Sequence, residues 1–307
     1  MSGASQPLKD KPFEDPKSAQ TAVTCLYQVS IAGFWRAVTV VWCNNLMNHS
    51  LSIAVEGVEG DSTFYTCKID VKPWHFWSKK GYKALEVDGG VVDVFWDLRS
   101  AKLSGSPEPY ADYYVALVCH DEVVLLLGDC KKKAYKKTKS RPSIAEALLV
   151  YKKENVFAKR SFSTRARFDE RRSEQHCIVV ESSTSGPRDP EMWISIDGFV
   201  AVHVKNLQWK FRGNETVVVN KQPVQVLWDV HDWLFSGAGT GHGLFIFKPG
   251  SPESTSSSRR SDGGSGGSGG GDGDDDGSGG GSWCSRTRSR PSAAPEYCLF
   301  LYAWKTE

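Results

Sequence analysis

The chain has 307 residues, of which 40% are hydrophobic and 24% charged, and its formal net charge is only +2. This length suits two ordinary domains or one large β domain, and the hydrophobic content supports a sizeable core. The apolar runs, such as Val123 to Leu127 and Tyr297 to Trp304, are far shorter than the roughly 20 residues that cross a bilayer, which excludes a membrane-spanning helix.

Residues 1–20 are polar and lack the apolar stretch of a secretory signal, so we expect a disordered N-terminus and a cytoplasmic protein. A first β unit is predicted over 21–130. Its strand signal is the alternation of apolar and polar residues, because successive strand side chains point to opposite faces. The predicted strands are 25–31, 35–43, 51–57, 68–74, two hairpin strands within 77–105, 113–119 and 122–127.

A basic connector is predicted over 131–160. The composition of Lys131 to Thr138 is compatible with a helix. Ser143 to Glu146 matches a capping box, in which serine and glutamate satisfy free backbone N–H groups at a helix start. The alternation of Leu149 and Tyr151 suits a strand equally well, so both structures stay open for that stretch.

A second β unit is predicted over 161–307. Residues 250–282 inside it are nearly all Gly, Ser and Asp, so they have no apolar surface to offset ordering entropy and should be disordered. Hairpins tolerate such insertions because closure entropy grows slowly with loop length, and the flanking strands should therefore pair. The predicted strands are 161–168, 176–182, 192–198, 200–207, two hairpin strands within 209–237, 243–248 and 297–304.

Residues 77–105 and 209–237 repeat each other without a gap, with nine identities in 29 positions. Trp96 and Trp228 occupy matching positions, and a turn sequence follows the first strand of each copy. We therefore predict an all-β, internally duplicated antiparallel sandwich or barrel. It would consist of two related units of about eight strands each, joined by a short helical or irregular basic connector.

Cysteine spacing predicts neither a metal site nor a cofactor. No C-x-x-C pair occurs, and no histidine lies at ligand spacing from a cysteine. Six of the eight cysteines lie in apolar runs typical of strands, where a free thiol packs as a small hydrophobe. They are Cys25, Cys43, Cys67, Cys119, Cys177 and Cys298.

Long and specific sequence blocks that carry a family resemblance run from about residue 21 to the C-terminus. Among them are TCLYQVSIAG, DVKPWHFWSKKG, VDVFWDLRSAKLSGSPEP, EVVLLLGD, VHVKNLQWKFRGN and LFIFKPG. They resemble the plant family named domain of unknown function 868. The resemblance implies a plant origin. It implies no activity, cofactor or functional residue.

Positive charge is concentrated in residues 131–172, which carry 15 Lys or Arg and four acids. Such a segment suits an anionic partner, such as phosphoinositide head groups, RNA or an acidic protein, although most basic connectors serve only solubility. KKKAYKKTK also matches a nuclear import signal, which adds the nucleus to the expected locations. The candidate anion-binding residues are Lys131, Lys132, Lys133, Lys136, Lys137, Lys139 and Arg141.

Aromatic residues divide into repeated and unrepeated positions. The repeated pairs Trp77/Trp209 and Trp96/Trp228 are interpreted as core residues. The unrepeated ones are candidate surface anchors for a partner, since tryptophan is enriched where partners bind. They are Trp74, Trp193 and Trp233.

Catalytic patterns are weak. Asp97 and Asp229 could form a carboxylate dyad, but an Asp at a strand end more often accepts turn N–H groups. His231-Asp232 lacks a nucleophile motif, and the glycines of 237–243 lack the ending of a phosphate-binding loop. We therefore predict a non-enzymatic binding module whose partner is another protein or an anionic surface. The alternatives are an anionic-lipid adaptor acting through 131–172 and an enzyme on carbohydrate or lipid.

Overall fold

The computed structural model describes residues 21–44, 49–57, 63–71, 79–158, 160–168, 175–183, 189–237, 241–250 and 297–305. The first half of the chain forms eight strands in these ranges. They are β1 (Thr21–Ile31), β2 (Phe34–Asn44), β3 (His49–Glu56), β4 (Phe64–Val71), β5 (Lys80–Val87), β6 (Gly90–Asp97), β7 (Tyr114–Cys119) and β8 (Glu122–Leu127).

The middle of the chain and its second half follow the same strand-rich pattern. Helix α1 (Lys131–Thr138) and strands β9 (Arg141–Pro142) and β10 (Leu148–Ala158) come first. Strands β11 (Ser161–Ala166), β12 (His176–Ser183), β13 (Glu191–Ile196), β14 (Phe199–Val204), β15 (Arg212–Val219) and β16 (Gln222–Asp229) come next. Helix α2 (His231–Phe235) and strands β17 (His242–Pro249) and β18 (Cys298–Lys305) complete the set.

The all-β prediction is confirmed, and a strand occupies every segment for which the sequence predicted one. The open choice for the stretch after Ser143 is settled in favour of a strand, because β10 begins at Leu148 and the capping-box residues form no helix. Neither described helix is long and apolar enough to cross a membrane. The expected disorder of 1–20 and 250–282 concerns residues that lie, except for Gly250, outside the described ranges.

The strands form three sheets. One has nine strands in the order β15-β16-β17-β18-β10-β1-β2-β3-β4, one has five in the order β5-β6-β7-β8-β9, and one has four in the order β11-β12-β13-β14. Pairing is antiparallel except between β10 and β18 and between β8 and β9. The predicted pairing of the strands on either side of 250–282 is confirmed, since β17 pairs with β18.

Two hydrophobic cores lie on the same face of the nine-stranded sheet. Strands β1 to β8 supply the buried residues of the first core, and β11 to β18 supply those of the second, together with neighbouring loops. Cys25 of the first core pairs with Lys152 on β10, and Lys152 pairs with Leu299 of the second core. Directly opposed residues on neighbouring strands share a face, so β10 carries Lys152 into the junction between the cores.

The hairpins β5–β6 and β15–β16 turn in the same way. Asp88 and Gly89 have φ angles of 47° and 75°, and Asn220 and Lys221 have φ angles of 48° and 70°. Positive φ at both central residues characterises the two-residue turn that matches the twist of the flanking strands. Lys221 adopts this conformation without the glycine that usually occupies it.

Candidate functional site

Helix α1 is held to the protein by a small apolar cluster, to which Ala134, Cys130 and Tyr135 contribute. Ala134 is fully buried in a cluster that includes Tyr114, Ala116 and Val118 on the face of the five-stranded sheet that points away from the first core. Cys130 precedes the helix and provides no side-chain cap, and Lys139 ends it in the left-handed conformation, donating its N–H to the Tyr135 carbonyl. Packing, and not capping, therefore keeps this short segment helical.

The lysines of α1 project into solvent, and we call this set the α1 lysine surface. It comprises Lys131, Lys132, Lys133, Lys136, Lys137 and Lys139, all of them exposed. At about 3.6 residues per turn, Lys132 and Lys136 lie opposite Ala134, with Lys133 and Lys137 beside them. Within the described part of the chain, no carboxylate pairs with any of the six.

The electrostatics of α1 are unfavourable for the isolated protein. Its first turn carries three lysines and no acidic residue, although the positive end of the helix dipole favours anions there. Lys132 and Lys136, like Lys133 and Lys137, are four residues apart, where like charges destabilise a helix. An anion bound at this surface would relieve both kinds of repulsion.

Other cations of the basic stretch have partners within the protein. Arg141 is exposed, but its Nη2 lies 2.7 Å from Oε1 of Glu122. Lys153 Nζ lies 4.6 Å from the ring centroid of Tyr302. Because Lys152 and Lys153 lie on β10 of the nine-stranded sheet, whereas α1 packs on the five-stranded sheet, the positive charge of 131–172 does not act as one patch.

Lys152 forms a buried ionic cluster at the junction between the two cores. Its Nζ lies 2.9 Å from Glu108 Oε2, 2.7 Å from Glu154 Oε1 and 3.3 Å from the Arg165 carbonyl oxygen. The side chain of Lys152 is 11% exposed and that of Glu154 only 3%. The cluster therefore links the β6–β7 loop, strand β10 and strand β11.

The cluster keeps its lysine protonated. Burial acts to lower the pKa of Lys152, but the carboxylates of Glu108 and Glu154 outweigh it and raise that pKa well above its ordinary value. A nucleophilic lysine needs a lowered pKa, so this arrangement supplies stability and not covalent chemistry. Sequence reasoning missed the cluster. The available signal was Lys152 and Glu154, two charges on the same face of a strand.

A pocket of about 300 Å³ opens among hairpin tips of the first unit. Its lining is mostly apolar, with Arg36, Asp88 and His120 as its charged or polar side chains. The buried guanidinium of Arg36 is paired with Asp88, which also accepts a hydrogen bond from Tyr65 at 2.8 Å. Burial raises the pKa of the Cys119 thiol in the same lining, so that thiol stays protonated.

The candidate carboxylate dyad is not assembled. Asp97 ends β6 in the five-stranded sheet, whereas Asp229 ends β16 in the nine-stranded sheet. Asp97 accepts hydrogen bonds from the backbone and side chain of Arg99, and Asp229 accepts one from Arg212 Nε at 2.7 Å. Partial burial acts to raise the pKa of Asp97, but Arg99 holds it below its usual value, which suits an ion pair rather than a general acid.

The other weak catalytic patterns also have structural roles. His231 Nδ1 lies 2.8 Å from Asp232 Oδ1, and aromatic rings flank the imidazole: those of Phe211 and Phe235 have centroids 5.1 Å away. Residues 238–240 of the glycine-rich segment lie outside the described ranges. Gly241, at its end, is buried against the backbone of Asp232 in α2.

The exposure of the aromatic candidates differs from the prediction at two positions. Trp233 is only 3% exposed and packs in the second core, so it is not a surface anchor. Trp209 is 81% exposed because it lies in the turn before β15, and its interpretation as a core residue is wrong. Trp193 is half-buried and stacks on His203, while Trp74 and Trp77 lie outside the described residues.

The thiols agree with the prediction in part, since Cys43 and Cys298 are only half-buried. All seven cysteines in the described ranges are free. Cys25, Cys67 and Cys119 are buried, but Cys177 is exposed because it points away from the second core. The alternation of apolar and polar residues correctly predicted that Cys177 lies in a strand. It did not determine which face of the sheet the Cys177 side chain lies on.

The comparisons with known proteins identify a family and no activity. The model of a family described as plant protein of unknown function (DUF868) matches residues 18–305. No curated protein and no solved structure matches the chain.

Proposed function

The chain belongs to the plant protein family of unknown function DUF868. Since the family implies no activity, we propose a function from the geometry. The protein is a non-enzymatic, intracellular binding module that docks on an anionic lipid surface through α1. The observation that carries the proposal is the α1 lysine surface. It presents six exposed lysines on one short helix, without a carboxylate partner among the described residues.

The magnitude of the expected attraction is sufficient for reversible docking. A lysine near an anionic membrane contributes about 1 kcal/mol, so Lys132, Lys133, Lys136 and Lys137 together would favour such a membrane over a neutral one by about 1,000-fold. The helix packs on the sheet through Ala134 and exposes its lysines to solvent, which suits a flat, charged surface. An RNA site usually adds exposed aromatic rings for base stacking, and Ala134 and the half-buried Tyr135 do not provide them.

A vesicle experiment tests the proposal. The full chain is sedimented with phosphatidylcholine vesicles and with vesicles that also contain phosphatidylserine, at low ionic strength. We expect binding only to the anionic vesicles, and weakening with added salt because charges are screened over about 10 Å at 0.1 M. Single-stranded RNA serves as a separate arm. Binding to RNA without binding to anionic vesicles would contradict a lipid surface as the partner.

The non-enzymatic part of the proposal rests on how the candidate catalytic groups are engaged. Lys152 is held protonated between two carboxylates, and Asp97 and Asp229 are bound to arginines in different sheets. Cys119 has a raised pKa. None of these groups has the free, activated state that nucleophilic or acid–base catalysis needs.

We also propose that the two halves descend from an internal duplication. Two correspondences support it besides the sequence repeat. Gly81 pairs with Trp96 as Gly213 pairs with Trp228. The β5–β6 and β15–β16 turns share their positive φ angles. Helix α1 follows the β7–β8 hairpin of the first half, so the lysine surface would be an addition to one copy.

A further inference from the structure

The pocket among the hairpin tips of the first unit has the size of a small-molecule site. We call it the hairpin-tip pocket, since residues of the β1–β2, β5–β6 and β7–β8 turns line it, and its volume is about 300 Å³. This is about twice the roughly 150 Å³ of a cavity that admits benzene, and it lies at the lower end of the range for ligand pockets. A compound of about ten non-hydrogen atoms therefore fits the pocket.

The backbone of the three turns forms the pocket in advance of any ligand. Ala32, Asp88 and His120 each line the pocket and occupy the first central position of a two-residue turn. Their φ angles are 52°, 47° and 49°, and the residue after each of them also has a positive φ. Such turns match the twist of the strands that they join, which fixes the positions of the three tips. Ligand pockets are usually preformed in this way.

The wall of the pocket contains a hydrogen-bond donor without an acceptor. Arg36 belongs to the lining, and its side chain is only 6% exposed. Its Nη1 pairs with Asp88 and lies 3.4 Å from the Glu56 carbonyl oxygen, but its Nε has no hydrogen-bond partner among the described residues. Buried donors are nearly always paired, because an unpaired one has lost its water without replacement. A ligand oxygen beside Arg36 would supply the missing acceptor.

The charges around the pocket select a neutral ligand. Asp88 already neutralises the Arg36 guanidinium, and the lining is otherwise mostly apolar. A carboxylate would bring a charge without a counterion into these surroundings, which is costly. A carbonyl oxygen brings only an acceptor, and the Arg36 Nε–H can satisfy it.

We propose that the hairpin-tip pocket binds a small, neutral, mainly apolar compound through a carbonyl oxygen that accepts a hydrogen bond from Arg36 Nε. The hydrocarbon part of the compound contacts apolar lining residues such as Ile31, Phe34 and Val87. Helix α1 contributes no residue to this lining. The pocket is therefore a second binding site, and it does not depend on the lysines that dock on a lipid surface.

Three phenyl compounds of similar shape test the ligand class, with dissociation constants of the full chain taken from ligand-observed NMR titrations. Acetophenone carries a carbonyl oxygen, ethylbenzene lacks an acceptor, and benzoate carries a negative charge. We expect acetophenone to bind at millimolar concentration, about tenfold more tightly than either of the others, because only it satisfies the buried donor without adding charge. Absence of acetophenone binding, or binding of ethylbenzene or benzoate that is as tight, overturns the proposal.

Val91→Trp tests the location of the site. Val91 lines the pocket and is 54% exposed, so an indole ring at this position can cover the pocket without entering the core. Val218→Trp is the matched control, since Val218 is an exposed valine on β15 in another sheet. Acetophenone binding should be lost in Val91→Trp and kept in Val218→Trp, and both variants should keep the urea midpoint of the unmodified protein. Undiminished binding in Val91→Trp overturns the proposal.

The Arg36 Nε–H proton provides a second measurement on the unmodified protein. Its NMR signal should move downfield with acetophenone, because the proton gains an acceptor, and should not do so with ethylbenzene. A signal that stays in place at saturating acetophenone overturns the proposed hydrogen bond. Binding to anionic vesicles should be the same in Val91→Trp as in the unmodified protein, so the failure of one site is distinguishable from the failure of the other.

Discussion

Gly81 on β5 lies directly beneath the indole ring of Trp96 on β6. The two residues are opposed across the hairpin, and a Cβ on Gly81 would overlap the ring, with Cη2 at 2.8 Å and Cε2 at 2.9 Å. Gly213 stands in the same relation to Trp228. Strands β5 and β15 each contain a glycine at this position, because the indole ring of the neighbouring strand occupies the space that a larger side chain would need.

Gly81→Ala is expected to destabilise the protein by about 1–3 kcal/mol, the usual cost of overpacking, even though alanine favours a strand more than glycine does. Urea denaturation measures the change. Gly90→Ala is the control, since its Cβ would only touch the Val87 carbonyl at 3.4 Å. In a Trp96→Ala background the cost of Gly81→Ala should nearly vanish. An undiminished cost there would show that the ring is not the obstacle.

Trp96→Ala should cost about 3–5 kcal/mol, the range for deleting a buried aromatic ring. The sequence repeat alone predicts an equal loss for Trp228→Ala. Trp96 is 8% exposed, whereas Trp228 is only half-buried and donates its indole N–H to the Lys210 carbonyl at 3.1 Å. We therefore expect a smaller loss for Trp228→Ala. Equal losses in parallel urea titrations would contradict this ranking.

Lys152→Met is expected to cost about 3–5 kcal/mol, because it leaves Glu108 and Glu154 buried without their cation. Lys153→Met is the matched control. The Lys153 side chain, next to Lys152 in the chain, lies over the Tyr302 ring, and an exposed cation–π contact contributes about 0.5–1 kcal/mol. Similar losses in the two variants would show that the junction does not depend on the ionic cluster.

Alkaline pH should weaken the fold. The pKa of Lys152 is raised in the folded protein, so its contribution is complete below the unfolded pKa of about 10.4 and is lost as the pH rises through the folded value. Burial raises the pKa of Tyr113 and Tyr297, which acts in the same direction. Burial also raises the pKa of the Cys25, Cys67 and Cys119 thiols, so the unfolding free energy should begin to fall above the unfolded thiol pKa of about 8.5 and fall more steeply above about pH 10. A rise above pH 10 would contradict these directions.

Neutralising α1 should stabilise it. Lys132→Gln with Lys136→Gln removes a like-charge pair and a cation near the helix N-terminus, and should raise the unfolding free energy by a few tenths of a kcal/mol at low salt. The gain should disappear at 1 M salt, where screening acts over about 3 Å. Lys102→Gln is the opposite case, since Lys102 Nζ lies 2.8 Å from Asp112 Oδ2. A loss of stability in the α1 variant would imply partners for its lysines within the protein.

Strand positions could be predicted from the sequence because alternation depends on local burial. The role of β10 could not be predicted, since its Lys152-Lys153-Glu154 run reads as a solvated connector unless its neighbours are known. Lys152 becomes a core charge only because Glu108 reaches it from a distant loop. The exposure of Trp209 and Trp233 could not be predicted for a similar reason. Trp209 lies in a turn that leaves it exposed, and Trp233 lies on the short helix α2, which places it in the second core.

The exposure of the candidate anion-binding residues could be predicted in part. Composition identified the lysines of α1, and their exposure agrees with that prediction. Composition did not separate them from Arg141 and Lys152, which form ion pairs with carboxylates of the protein. The difference arises from three-dimensional neighbours that no local pattern encodes.

Sedimentation of two charge-matched variants with phosphatidylserine-containing vesicles at low ionic strength tests the central claim most directly. One variant changes Lys132, Lys133, Lys136 and Lys137 to Gln. The control makes the same change at four exposed lysines outside α1, namely Lys83, Lys205, Lys210 and Lys221. We expect the α1 variant to lose at least about 100-fold in affinity and the control less than about tenfold, because each α1 lysine contributes about 1 kcal/mol at the surface. Equal losses in the two variants would show that net charge, and not the α1 lysine surface, drives binding.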